Sequence, residues 1–213
     1  NFSPDELAAE AKSPERLPDY AQSFLGMRRD GREPYPSRTV LDQLTWMLLE
    51  EAAGFPNEFI RAWYAFDGDL RNVLAALNIR RRTEHGEQDY RSAAERVVVG
   101  STEVAEQIVR STAPDFGLGG ALPWIERLLS LPGDDLVARE RAIDDLRWET
   151  LDELTMFTYF RTETLLAFCV KLGMVRRWMG LDAEEGRKRL ETLVEQMRTG
   201  VAAEAEQATA SAS

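Results

Sequence analysis

One segment constrains the fold more than any other. From Phe59 to Leu77, apolar side chains return at Phe59, Trp63, Phe66, Leu70, Val73 or Leu74, and Leu77. That is the helical period held over about five turns, and it predicts a long amphipathic helix. Gly68 lies inside it, where glycine costs about 1 kcal/mol relative to alanine, so another backbone packing closely there, or a kink, is expected. Arg80-Arg81-Arg82 closes the segment, placing cations at the negative end of the helix dipole.

The rest of the chain reads the same way. Ser3-Pro4-Asp5-Glu6 starts a helix with a capping hydroxyl, a first-turn proline and acids, and Ser13-Pro14-Glu15 repeats the pattern. Residues 28–37 are a Gly- and Pro-rich loop. A helix over 38–53 presents Val40, Leu41, Leu44, Met47 and Leu48 on one face. Gly54 stops it, and Pro56-Asn57-Glu58 starts the next.

Further on, residues 84–88 form a loop around His85. A short helix follows over 89–99, whose Val97-Val98-Val99 end fits extended chain equally well. Ser101-Thr102-Glu103 opens a helix over 104–110, Asp115 to Gly120 form a loop, and a short helix covers 123–131. Helices over 134–156, from Thr162, and from Leu181 to about Arg198 complete the pattern. The one from Thr162 is apolar nearly all round (Leu165, Leu166, Phe168, Cys169, Val170, Leu172), which predicts burial in the core. No strand pattern competes. The expected fold is all-α, built from packed helical hairpins and bundles, with N-terminal helices and a loop over 1–36, a core over 37–198 and a disordered tail over 199–213. The sequence opens on Asn1 without a methionine, and the start is read as incomplete.

Composition narrows the function. At 213 residues, the chain needs no staple to build a core. The net charge of −11 opposes broad nucleic-acid binding; Arg80-Arg81-Arg82 is the compact basic candidate. The longest purely apolar run, Leu165 to Val170, is far short of the roughly 20 residues that span a bilayer, so direct membrane insertion is not expected.

Catalytic chemistry has little to work with. One histidine and one cysteine exclude a His/Cys zinc site and a two-histidine bundle di-iron site within one chain. His85 reads as a solvated loop residue and Cys169 as a small core residue. Gly117-x-Gly119-Gly120 lacks the Gly-Lys-Ser/Thr ending of a nucleotide loop and reads as a turn between helices. Carboxylates are numerous enough to leave a paired-acid site open. Most lie beside cations, as in Asp144-Asp145-Leu146-Arg147, and read as solvated faces with local ion pairs. No catalytic, cofactor or metal residue is assigned. Of the five tryptophans, most are expected in the core. Arg176-Arg177-Trp178 is the best partner-binding candidate, since Arg and Trp are enriched at interfaces; the alternative is a helix C-terminus whose cations complement the dipole.

Several stretches then carry a resemblance. Phe59-Ile60-Arg61-Ala62-Trp63, Asp69-Leu70-Arg71-Asn72-Val73, Ser101 to Glu106, Asp115-Phe116-Gly117-Leu118, Glu140 to Trp148, Phe157 to Phe160 and Lys171 to Trp178 together resemble a V-type ATPase-associated family of unnamed function. Its members are encoded in bacterial V-type ATPase operons and look like the all-helical rotor subunit that forms a socket between the axle and the membrane ring. The resemblance spans about Leu41 to Met197. It implies a non-catalytic, cytoplasmic subunit, peripheral to the membrane, whose partners are the central-stalk axle and the membrane ring. Asp69 and Asn72 match its Asp-x-x-Asn helix motif, for which local helix–helix hydrogen bonding is expected. A free-standing helical adaptor with another partner is the alternative, and a helical enzyme using carboxylates on a metal is a third reading.

Overall fold

A computed structural model describes residues 3–83, 89–131, 135–158 and 161–181, with 184, 186 and 188. Among these residues the chain is all-α. Helices run over Pro4–Lys12 (α1), Asp19–Arg29 (α2), Val40–Ala53 (α3), Glu58–Thr83 (α4), Tyr90–Val97 (α5), Glu103–Arg110 (α6), Ile125–Leu129 (α7), Leu136–Thr155 (α8) and Thr162–Met179 (α9). None is long and apolar enough to cross a membrane. The chain divides into two compact units, 1–163 and 164–213. The expected loop around His85, the helix after Leu181 and the tail over 199–213 fall wholly or mainly outside the described residues.

Local chemistry sets most of the helix starts. Ser3 and Glu6 form a reciprocal capping box. Thr39, Thr102 and Asp135 accept from backbone N–H groups of the first turns of α3, α6 and α8. Asn57 Oδ1 accepts from the Ile60 N–H at 3.1 Å and opens α4. One expected start fails: no helix begins at Ser13-Pro14-Glu15. Ser13 instead ends α1, and the Glu10 carboxylate accepts from the backbone N–H groups of Glu15 (3.1 Å) and Arg16 (3.0 Å) and from Arg16 Nε (2.7 Å). Those bonds hold the segment as a loop, and α2 waits until Asp19.

In the first unit α4 is the axis, packing on α3, α5, α6 and α8. The core gathers Leu70, Val73 and Ala76 of α4, Ala94 and Val98, Ala105 and Ile108, Phe116, Leu118 and Leu122, Ile125 and Leu128, and Ile143 and Leu146. Arg147 of α8 reaches Asp67 of α4 at 2.9 Å, and Arg139 donates to Asn78 Oδ1 at 3.1 Å. The 144–147 run is therefore more than a solvated face: Asp144 is buried and Arg147 bridges two helices.

The apolar faces depart from expectation at both ends. In α3, Val40 and Leu41 are exposed, while Asp42 and Gln43 are buried. The reason is Arg71 of α4, whose guanidinium pairs with Asp42 and turns that polar face inward. In α9, Ala167 is the only buried side chain; Leu165 is 67% and Phe168 61% exposed, and Cys169 is exposed rather than a core residue. Of the tryptophans only Trp63 is buried. Trp46, Trp124 and Trp178 are half-buried and Trp148 is exposed. Their rings serve as edges of the core more than as its centre, as where Phe66 meets Trp124 edge-on at 5.8 Å.

Candidate functional site

A cavity lies in the first unit, where α3, α4 and the turn from α5 into α6 meet. Leu49, Glu50 and Ala53 come from α3; Arg61, Tyr64, Ala65, Gly68, Asp69 and Asn72 come from α4; Val99 to Thr102 close the third side. Together they enclose about 300 Å³.

Two of these residues set its form. Asn72 is 2% exposed, and its side-chain amide pairs with the backbone of one residue in both directions. Nδ2 donates to the Val99 carbonyl at 2.8 Å, and Oδ1 accepts from the Val99 N–H at 2.9 Å. That pairing holds the extended stretch after α5 against α4, with Val98 at φ −70°, ψ 125°. Gly100 then turns at φ +84°, a left-handed conformation that glycine adopts without strain, and leads the chain into α6. The start of α6 borders the cavity with its own needs met: Thr102 Oγ1 accepts from the Ala105 N–H at 3.1 Å, and Glu103 and Glu106 lie in the first turn.

Gly68 shapes the opposite wall. A Cβ at this position would stand 3.1 and 3.2 Å from the two Leu49 methyls, so the glycine admits a side chain of α3 rather than the backbone expected from sequence. Leu49 also lines the cavity and has room to move into it. Gly68→Ala is therefore expected to stabilise the protein by about 0.5–1 kcal/mol, the gain in helix propensity outweighing a small shift of Leu49. Urea denaturation at equal slope measures it; a loss of stability would show that Leu49 is locked.

The polar groups in the cavity are unequally satisfied. Glu50 accepts from Tyr35 Oη at 2.5 Å and from Trp46 Nε1 at 3.1 Å, beneath a Tyr35–Trp46 stack with ring centroids 4.5 Å apart. Burial, and then that carboxylate, raise the Tyr35 phenol above its ordinary range. Arg61 donates to the carbonyls of Phe55 (2.6 Å) and Pro56 (2.9 Å). The Asp69 carboxylate has no hydrogen bond or ion pair among the described residues, and burial alone pushes its pKa up to about 6 from 3.8. The helix–helix hydrogen bonding expected of Asp69 and Asn72 therefore gives way to a division of labour. Asn72 bonds a loop peptide, and Asp69, three residues earlier on the same face, stands in the cavity.

A carboxyl whose folded pKa is raised contributes fully below its unfolded pKa near 4, and that contribution is lost as pH rises through about 6. Asp69→Asn should thus leave stability unchanged at pH 4 and raise it at pH 7.5. Water reaches part of this carboxylate, so the gain is about 1 kcal/mol, read as a few degrees in Tm. An equal gain at both pH values would assign it to something other than charge.

The residues singled out from sequence sit elsewhere. Arg176, Arg177 and Trp178 occupy the last turn of α9, with the Arg177 guanidinium 5.5 Å over the Trp178 ring. Arg176 and Arg177 are exposed and Trp178 is half-buried. On the same helix Leu165, Phe168, Leu172, Val175 and Met179 are all exposed and alternate at spacings of three and four. Arg80, read as a dipole-complementing cation, donates to the carbonyls of Ser111, Ala113 and Pro114 at 2.6–2.9 Å. Its guanidinium also lies 3.8 Å over the buried Phe116 ring. The Gly117–Gly120 stretch is the turn after α6 that sequence suggested. Asp115 Oδ1 accepts from the Gly117 N–H at 2.9 Å and Oδ2 from the Gly119 N–H at 3.3 Å.

Among the described residues no three His, Cys, Asp or Glu side chains converge to hold a metal ion. Neither the curated proteins nor the solved structures offer a match to this chain. A family model does match, over residues 5–201, so the chain belongs to the family described as Protein of unknown function (DUF2764).

Proposed function

We propose that this protein is a non-catalytic subunit of a rotary V-type ATPase, seated between the central-stalk axle and the membrane ring on the cytoplasmic side. The ordered set of stretches from Phe59 to Trp178 that resembles the V-type ATPase-associated family carries this reading. A second observation supports a role in protein contact. The exposed apolar stripe of α9 recurs at the three-and-four spacing of a helix seam, with Arg176 and Arg177 beside it. A part that hands torque from one protein to another needs stiff packed helices and such a surface, with the bond-making left to other subunits.

The test is co-purification from the native host, with a Phe168→Glu/Leu172→Glu variant as control. Both side chains are exposed, so the variant is expected to keep its helicity and Tm. The unaltered protein should bring down the ATPase catalytic and ring subunits, and the variant should lose them. Another protein in stoichiometric amount, with no ATPase subunit, would favour the free-standing adaptor instead. Normal ion pumping after gene deletion would reject the proposal.

A further inference from the structure

We propose that the cavity between α3, α4 and the 99–102 segment is a binding site for a small organic cation, an ammonium group carried on an apolar body. The inference is independent of which proteins contact α9.

The lining selects the guest by elimination. The walls at Leu49, Ala53, Ala65 and Val99 are hydrocarbon, and one carboxylate, Asp69, stands among them without a hydrogen-bond or ion-pair partner among the described residues. The charged and titratable groups that share the cavity are Glu50 from α3 and Arg61 and Tyr64 from α4; the 99–102 segment brings none. Glu50 is held by Tyr35 and Trp46, and Arg61 donates through Nη1 to the carbonyls of Phe55 and Pro56. An anion would meet the Asp69 and Glu50 carboxylates against the single cation of Arg61, which is already anchored to backbone carbonyls. A bare divalent metal wants about six oxygen ligands, and one carboxylate amid carbon supplies too few. A neutral apolar guest would bury Asp69 further without pairing it. An ammonium on a carbon body satisfies both features, covering the walls and pairing the carboxylate in low dielectric. A volume near 300 Å³ is at the small end of ligand cavities and suits a body of about ten non-hydrogen atoms. The unfavourable burial of Asp69 is what a preformed cation site would show, stability being given up for binding.

The same chemistry is presented by a free amine and by a lysine side chain, and the experiment separates them. Phenethylammonium, its neutral counterpart phenethyl alcohol, and a blocked Leu-Lys-Leu peptide are titrated into the isotopically labelled protein, with amide shifts followed at Ala53, Ala65 and Gly100. At pH 7.5, phenethylammonium or the peptide should bind with Kd below about 1 mM and at least tenfold tighter than the alcohol. The cation that binds more tightly names the source. Affinity should fall about tenfold from pH 7.5 to pH 5, as a carboxyl titrating near 6 becomes protonated. Asp69→Asn should weaken binding at least tenfold and abolish its pH dependence. Binding of the alcohol as tight as that of the amine would overturn the proposal, as would no shift at these amides with either cation, or unchanged binding in the variant.

Discussion

Asn72→Ala is expected to be the most damaging single substitution outside the hydrocarbon core, lowering stability by about 4 kcal/mol. The side chain is not itself the loss. Without it the Val99 N–H and C=O, at a position 1% exposed, lose the one side chain that pairs them both. Each stranded group costs about 1–3 kcal/mol, and the vacated space adds to that. In a protein of this size the sum corresponds to about 8–16 °C in Tm, a large share of the total stability of a typical fold. Asn72→Asp separates the cause from simple volume. Ionised, the carboxylate accepts from the Val99 N–H but faces the carbonyl with no donor; protonated, it supplies both. Its deficit should therefore shrink in acid, while that of the alanine variant stays. A deficit independent of pH in both would mean that packing, not pairing, holds the segment.

Arg80→Lys should cost about 2–3 kcal/mol although the charge is kept. The planar guanidinium reaches the carbonyls of Ser111, Ala113 and Pro114 at once and sits 3.8 Å over the Phe116 ring; an ammonium has neither the spread nor the face. The loop it holds carries Phe116 at φ +57°, an unfavourable conformation for a side chain that must still be fully buried. Loosening Arg80 should free that loop before the helices melt, and hydrogen exchange at Gly117 and Leu118 would register it. A lysine variant as stable as the parent would show that the arginine acts only as a helix-end charge.

These two residues show where sequence is legible and where it is not. Helix spans followed from periodicity and capping, because those signals act within four residues: Thr39, Asn57 and Thr102 each bond a neighbour in the next turn. Asp69 and Asn72 stand out in the sequence only as a match to the Asp-x-x-Asn motif of the family it resembles. Their separate roles depend on Val99, 27 residues beyond Asn72, and no local rule places it. The failed start at Ser13 has the same origin, since the Glu10 carboxylate takes backbone donors five and six residues on. The reading of α9 as a core helix failed differently. Apolar residues all around a helix say that it prefers to be covered, and they do not say by which chain. The cavity left no trace in the sequence, because empty space is a property of how three segments fail to meet.

The arginines that join segments have a consequence for how this molecule meets its surroundings. Arg38 reaches carbonyls at the end of α5, Arg61 those before α4, and Arg80 those after α6. Dissolved salt weakens the pull between opposite ions, but it has little hold on a cation seated among uncharged oxygens. Brine should therefore slacken the ornamental pairs along the helix exteriors and leave these corner joints closed.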